Sequence, residues 1–87
     1  MNITDVRVRL IQKEDSKLKA VASVTIENAI AIHDIKIIEG PDSLFIAMPS
    51  KKIGENEHRD IVHPINAEAR AELMNVVMDA YNKEINA

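Results

Sequence analysis

Apolar and polar residues alternate with a period of two across residues 3 to 11, ITDVRVRLI, with Val6, Val8 and Leu10 on one parity and Asp5, Arg7 and Arg9 on the other. Successive side chains of a strand point to opposite faces, so this pattern predicts a strand with one buried face. A polar stretch from Gln12 to Ser16 follows. The alternation then resumes in KLKAVASVTIE, where Leu18, Ala20, Ala22, Val24 and Ile26 oppose Lys17, Lys19, Ser23, Thr25 and Glu27. Together the two segments read as an antiparallel hairpin.

Residues 29 to 38, AIAIHDIKII, break the simple alternation: Ile30 and Ile32 sit on one parity, Ile35 and Ile37 on the other. A strand that is apolar on both faces needs cover on both. Gly40-Pro41-Asp42-Ser43 is a turn signal, and the fourth strand, LFIAM, is again apolar on both parities. Residues 49 to 58, PSKKIGENEH, are rich in charge and in turn-forming residues and predict an exposed loop. RDIVHPI then predicts a short fifth strand that ends near Pro64, which has no N–H for a ladder. Asn66 is placed to cap a helix over residues 67 to 84, whose apolar stripe is Ala69, Leu73, Val76, Val77, Ala80 and Tyr81, widened by Met74 and Met78.

The expected fold is one α+β domain over residues 1–87: a mostly antiparallel sheet of five strands within residues 2–65, followed by one C-terminal amphipathic helix. A helix about 10 to 12 Å across covers only two or three strands spaced about 4.8 Å apart. Strands three and four therefore ask for a second layer, and a two-fold homodimer is the expected source. Size points the same way. A chain of 87 residues without cysteine has a marginal core and no disulfides to reinforce it, which leaves oligomerisation as the usual help.

With 11 Lys+Arg against 14 Asp+Glu, the net charge of −3 lacks the basic excess of a generic nucleic-acid binder, so any polyanion site has to be a local patch. No apolar run approaches the ~20 residues that span a bilayer, and a cytoplasmic protein is expected. His33-Asp34 and His63 invite a catalytic reading, but no nucleophile motif accompanies them, and neither an enzyme nor a cofactor is expected. His33, His58 and His63 lack metal-ligand spacing; His33 and His63 are expected to be partly buried and His58 to end a loop.

Two basic clusters stand out. Pairing of the first hairpin would gather Arg7, Arg9, Lys17 and Lys19 on one face, and the exposed loop brings Lys51 and Lys52 near Arg59, with Arg70 in the first turns of the helix. Such groups neutralise phosphates; they equally serve as solvated faces and as strand-edge charges that block aggregation. Phe45 and Tyr81 are the only aromatic residues and both lie on apolar stripes, so no platform for stacking unpaired bases is expected.

The string HDIKIIEGPDSLFIAMPSKK, followed by HRDIVHPIN and a terminal helix, resembles the stage V sporulation protein G (SpoVG) family of small bacterial septation regulators. The resemblance implies a dimeric α+β protein that influences cell division and gene expression and binds DNA or RNA. It implies as partners a second copy, nucleic acid, and division or regulatory proteins. It assigns nucleic-acid contacts to Lys51, Lys52, Arg59 and Arg70. Where the family often continues Arg-Gly-Lys in the helix, this chain has Arg70-Ala71-Glu72, which places a repelling charge near the expected contact. The competing expectation is a protein-interaction module of the division or sporulation machinery that binds no nucleic acid.

Overall fold

Val6 pairs with Val24, Val8 with Ala22 and Leu10 with Ala20, so the first two strands place their apolar parities on the same side, as their alternation predicts. The computed structural model describes residues 1–13 and 15–86; Glu14, in the expected polar connection, and Ala87 lie outside the described residues. Along the chain run β1 (Ile3–Leu10), β2 (Leu18–Ile26), β3 (Ile30–Glu39), β4 (Leu44–Ala47), β5 (Ser50–Lys52), β6 (His58–Asp60) and α1 (Ala67–Ile85). β1 to β4 form an antiparallel four-stranded sheet in sequence order, and β5 with β6 forms a separate two-stranded sheet.

β2 turns into β3 through Glu27 and Asn28, both with positive φ (56° and 54°), and the Ala29 N–H donates to the Ile26 carbonyl at 2.9 Å. Positive φ at both central residues is the signature of a type I′ turn, and because the ladder closes at Ile26 opposite Ile30, three residues, Glu27 to Ala29, connect the strands. The next turn depends on Gly40. A Cβ there would lie 2.9 Å from the Ser43 carbonyl oxygen, the same oxygen that accepts the Gly40 N–H.

The parity break in β3 has a structural cause. Ala22 pairs with Ile35 and Val24 with Ile32, so Ser23 stands opposite both His33 and Asp34, a β-bulge in which Asp34 takes φ 64°. One extra residue inverts the alternation. Ile32, Ile35 and Ile37 consequently all face the helix side, with Ile35 and Ile37 at 0% exposure. The expectation that β3 is apolar on both faces is thus corrected, and with it part of the case for a second layer. Apolar side chains do reach the other face further along: a bulge at Lys19 aligns Leu18 with Ile38, and Ile38 pairs with Phe45.

The helix begins at the expected residue. Asn66 has extended backbone and its Oδ1 accepts the Ala69 N–H at 2.7 Å, satisfying one of the orphan donors of the first turn. Leu73, Val77 and Tyr81, spaced by four, are its buried residues and close the core over Ala20, Ala22, Val24, Ile35 and Ile37. Burying an aliphatic side chain of this size contributes about 1.5 to 3 kcal/mol each. Met78 packs against this core from the edge of the stripe, whereas Met74 is exposed.

The fifth strand of the expected sheet is a correction. His58–Asp60 is a strand but pairs with Ser50–Lys52, a segment expected to be loop, and neither joins the main sheet. The β5–β6 ladder is extended by Ile61 N–H to the Pro49 carbonyl at 2.8 Å and by Ile53 N–H to the Glu57 carbonyl at 3.0 Å. Pairing extends past the tip expected from composition because ladder bonds come from the backbone, which charged residues supply as readily as apolar ones.

Candidate nucleic-acid interface

The β5–β6 hairpin is exposed along its whole length, and its register decides where its cations go. Lys51 pairs with Arg59, Lys52 with His58, and Ser50 with Asp60. Residues directly opposite share a face while neighbours along a strand alternate, so Lys51 and Arg59 project together from one face. Lys52, His58, Ser50 and Asp60 belong to the other.

Arg70 meets that second face. A hollow of about 390 Å³ lies between the start of α1, the end of β4 and the hairpin, and is lined by Ser50, His58, Asp60, His63, Arg70 and an apolar floor that includes Phe45, Met48 and Met74. The four cations expected to form one cluster therefore straddle the hairpin: Lys51 and Arg59 on one side, Lys52 and Arg70 towards the other. Among the described residues, none of the four is in an ion pair.

Glu72, the residue expected to repel a phosphate beside Arg70, is turned away from it. Two positions along a helix are about 200° apart around its axis. Glu72 Oε2 lies 4.0 Å from the Met1 amino group, towards β1, whereas Arg70 and Met74 line the hollow on the other side.

The second basic cluster is divided and partly neutralised. Arg7 and Arg9 share the face of the main sheet away from α1, where Arg7 Nε donates to Asp5 Oδ2 at 3.0 Å. Lys19 Nζ lies 3.2 Å from Glu39 Oε2, and Lys17 sits in the connection before β2, where its carbonyl accepts the Glu39 N–H at 2.8 Å. The hairpin thus does not gather all four charges into one patch.

The histidines also depart from expectation. His33 and His63 are exposed rather than partly buried, and His58 lies within β6. His63 Nδ1 is 3.1 Å from the Pro64 carbonyl oxygen. Among the described residues, no three His, Asp or Glu groups converge on a site for a metal ion. Ser50, His58 and Asp60 join Arg70 at the hollow, and Ser23 and His33 line a second hollow beside Arg7 and Arg9; composition pointed to none of these placements. The parity break at His33-Asp34 was the one sign of local irregularity.

No helix among the described residues is long and apolar enough to cross a membrane. A four-stranded antiparallel sheet under a single C-terminal helix, with a detached charged hairpin, defines a small α+β class in which the hairpin is the outlying surface. The family model SpoVG matches residues 1–83, and the chain belongs to the SpoVG family. It is 57% identical over 83 residues to a protein of Lachnospira eligens named "Putative septation protein SpoVG", covering 95% of this chain and 93% of the relative. Proteins of the same name from Clostridium perfringens and Clostridioides difficile are 54% identical over 86 residues and 53% identical over 85. These alignments cover 99% and 98% of this chain, and 94% and 91% of those relatives.

Proposed function

We propose that this chain is a non-enzymatic regulator that binds nucleic acid through the β5–β6 hairpin and acts in septation and gene expression as a cytoplasmic homodimer. The observation that carries the reading is the register pairing of Lys51 with Arg59. Like charges directly opposite one another destabilise a sheet, and neither cation has a carboxylate partner among the described residues. A phosphate placed between them converts this repulsion into attraction. Lys52 and Arg70 extend the positive surface around the hairpin. Septation enters through the names of the relatives. A two-fold dimer would present the hairpin twice, raising the effective concentration of the second contact on a duplex whose groove spacing it matches.

The test is a salt titration of binding to duplex DNA and to single-stranded RNA. Affinity that falls steeply with salt, and is abolished in Lys51→Glu/Lys52→Glu, supports the proposal; no binding at about 50 mM salt overturns it. Sedimentation at micromolar concentration showing only a folded monomer overturns the dimer.

A second reading, a protein-interaction module of the division machinery, is favoured by one observation. Phe45 and Met74 in the hollow and Ile61 and Ile65 nearby in sequence are exposed, Ile65 at 86%. Retained partner binding in the lysine double variant, with no nucleic-acid binding in the parent, would select that reading.

A further inference from the structure

The bulge in β3 does more than restore the apolar parity. Where Ser23 faces both His33 and Asp34, the face of the sheet away from α1 carries a hollow of about 300 Å³, lined by Arg7, Arg9, Ser23, His33 and Asp34 among others. Three adjacent strands contribute to it: Arg7 stands opposite Ser23 in the β1–β2 ladder, Arg9 opposite Val21, and the bulge brings His33 to the far side of Ser23.

We propose that this hollow is a binding site for a phosphate monoester, separate from the β5–β6 hairpin. The lining supplies the groups that recognise one. Two guanidinium groups two residues apart on a strand point to the same side, Ser23 offers a hydroxyl donor, and His33 offers a ring N–H. Arg7 uses only its Nε on Asp5, in an exposed pair of little energetic weight, so its terminal N–H groups remain free to form a fork on phosphate oxygens. Arg9 is in no ion pair among the described residues. The lining carries two guanidinium groups and the carboxylate of Asp34, with Asp5 paired to Arg7 beside it, so directed hydrogen bonds rather than an excess of positive charge hold the anion.

Asp34 adjusts the selectivity of the site. Its carboxylate opposes any anion in the hollow, so occupancy requires several directed hydrogen bonds at once, which the four oxygens of a tetrahedral phosphate can accept from the lining in a fixed geometry and a single spherical ion cannot. The backbone at Asp34, at φ 64°, is in a region that few residues other than glycine, asparagine and aspartate occupy readily. The concavity therefore rests on a bulge that Asn or Gly at this position would preserve.

The experiment is an amide chemical-shift titration of the full chain with inorganic phosphate at ionic strength held constant with chloride. A parallel titration uses a short oligonucleotide lacking a terminal phosphate. Saturable shifts at Arg7, Ser23, His33 and Asp34 on adding phosphate, absent with the oligonucleotide, are expected. Arg9→Gln should weaken phosphate binding about tenfold, the scale of one charge-assisted hydrogen bond. Asp34→Asn should tighten it, and Lys51→Gln should leave it unchanged. The proposal is overturned if phosphate produces no saturable shift, if Arg9→Gln binds as tightly as the parent, or if only the oligonucleotide perturbs these residues. The last outcome would assign the hollow to a nucleic-acid backbone. Because Lys51→Gln tests the hairpin alone, failure here and failure of the hairpin reading are distinguishable.

Discussion

Lys51 and Arg59 are direct cross-strand partners in a two-stranded ladder that is exposed on both faces. By the alternation of the ladder they occupy a hydrogen-bonded pair, because Pro49–Ile61 and Ile53–Glu57, two residues away on either side, are joined by N–H to carbonyl bonds. The backbone holds the two cations together against their mutual repulsion. That repulsion is small in water but is present in every molecule of the free protein.

Arg59→Glu separates stability from binding at this pair. An opposite-charge pair replaces a like-charge one, so the hairpin should gain about 0.2 to 1 kcal/mol. Nucleic-acid affinity should nevertheless fall. In Arg59→Gln, which only removes the charge, the slope of log affinity against log salt should shrink by about 0.9 for duplex DNA, the value for one lost phosphate contact. Fluorescence anisotropy at several salt concentrations, together with amide exchange of Lys51 and Lys52, reads both effects. A hairpin that loosens in Arg59→Glu would count against the register argument.

Truncation at Ile35 tests the core that the bulge creates. Ile35 is fully buried opposite Ala22, immediately after Asp34, and belongs to the cluster closed by Leu73, Val77 and Tyr81. Ile35→Val should cost about 0.5 to 1.5 kcal/mol, measured by urea unfolding. Ile30→Val, at a residue 61% exposed on the same strand, should cost much less.

Removal of the helix cap should be felt throughout the domain. Asn66→Ala leaves the Ala69 N–H without its 2.7 Å partner and should cost about 1 kcal/mol. In a domain of this size that corresponds to a fall in Tm of roughly 4 to 8 °C. Asn66→Asp should retain the cap, since a carboxylate accepts the same bond and complements the positive end of the helix.

The β2–β3 turn offers a stabilising change. Glu27 and Asn28 both hold positive φ, and Glu27 lacks the short side chain that eases this conformation in asparagine. Glu27→Asn combined with Asn28→Gly installs the pair most favoured in type I′ turns and should raise stability by about 1 kcal/mol, visible as a higher Tm without loss of nucleic-acid binding. Unchanged or lower stability would show that Glu27 makes compensating contacts in the unfolded or folded chain.

Much of this molecule follows from local pattern. The period-two alternation of β1 and β2, the turn at Gly40–Ser43, the Asn66 cap and the stripe of Leu73, Val77 and Tyr81 each express a rule that acts within a few residues, so each is present in the sequence. The family resemblance likewise lies in contiguous motifs, and the chain does belong to the SpoVG family. Tertiary structure decided the rest. The parity break of β3 had two solutions, burial on both faces or a bulge; pairing with β2, which accommodates one extra residue opposite Ser23, selected the bulge. The grouping of Lys51 with Arg59, and of Arg70 with His58 and Asp60, depends on strand register and on where the helix lies. Local composition carries no record of either, because a solvent-exposed hairpin is paired by its backbone, and its side chains leave no apolar period to read.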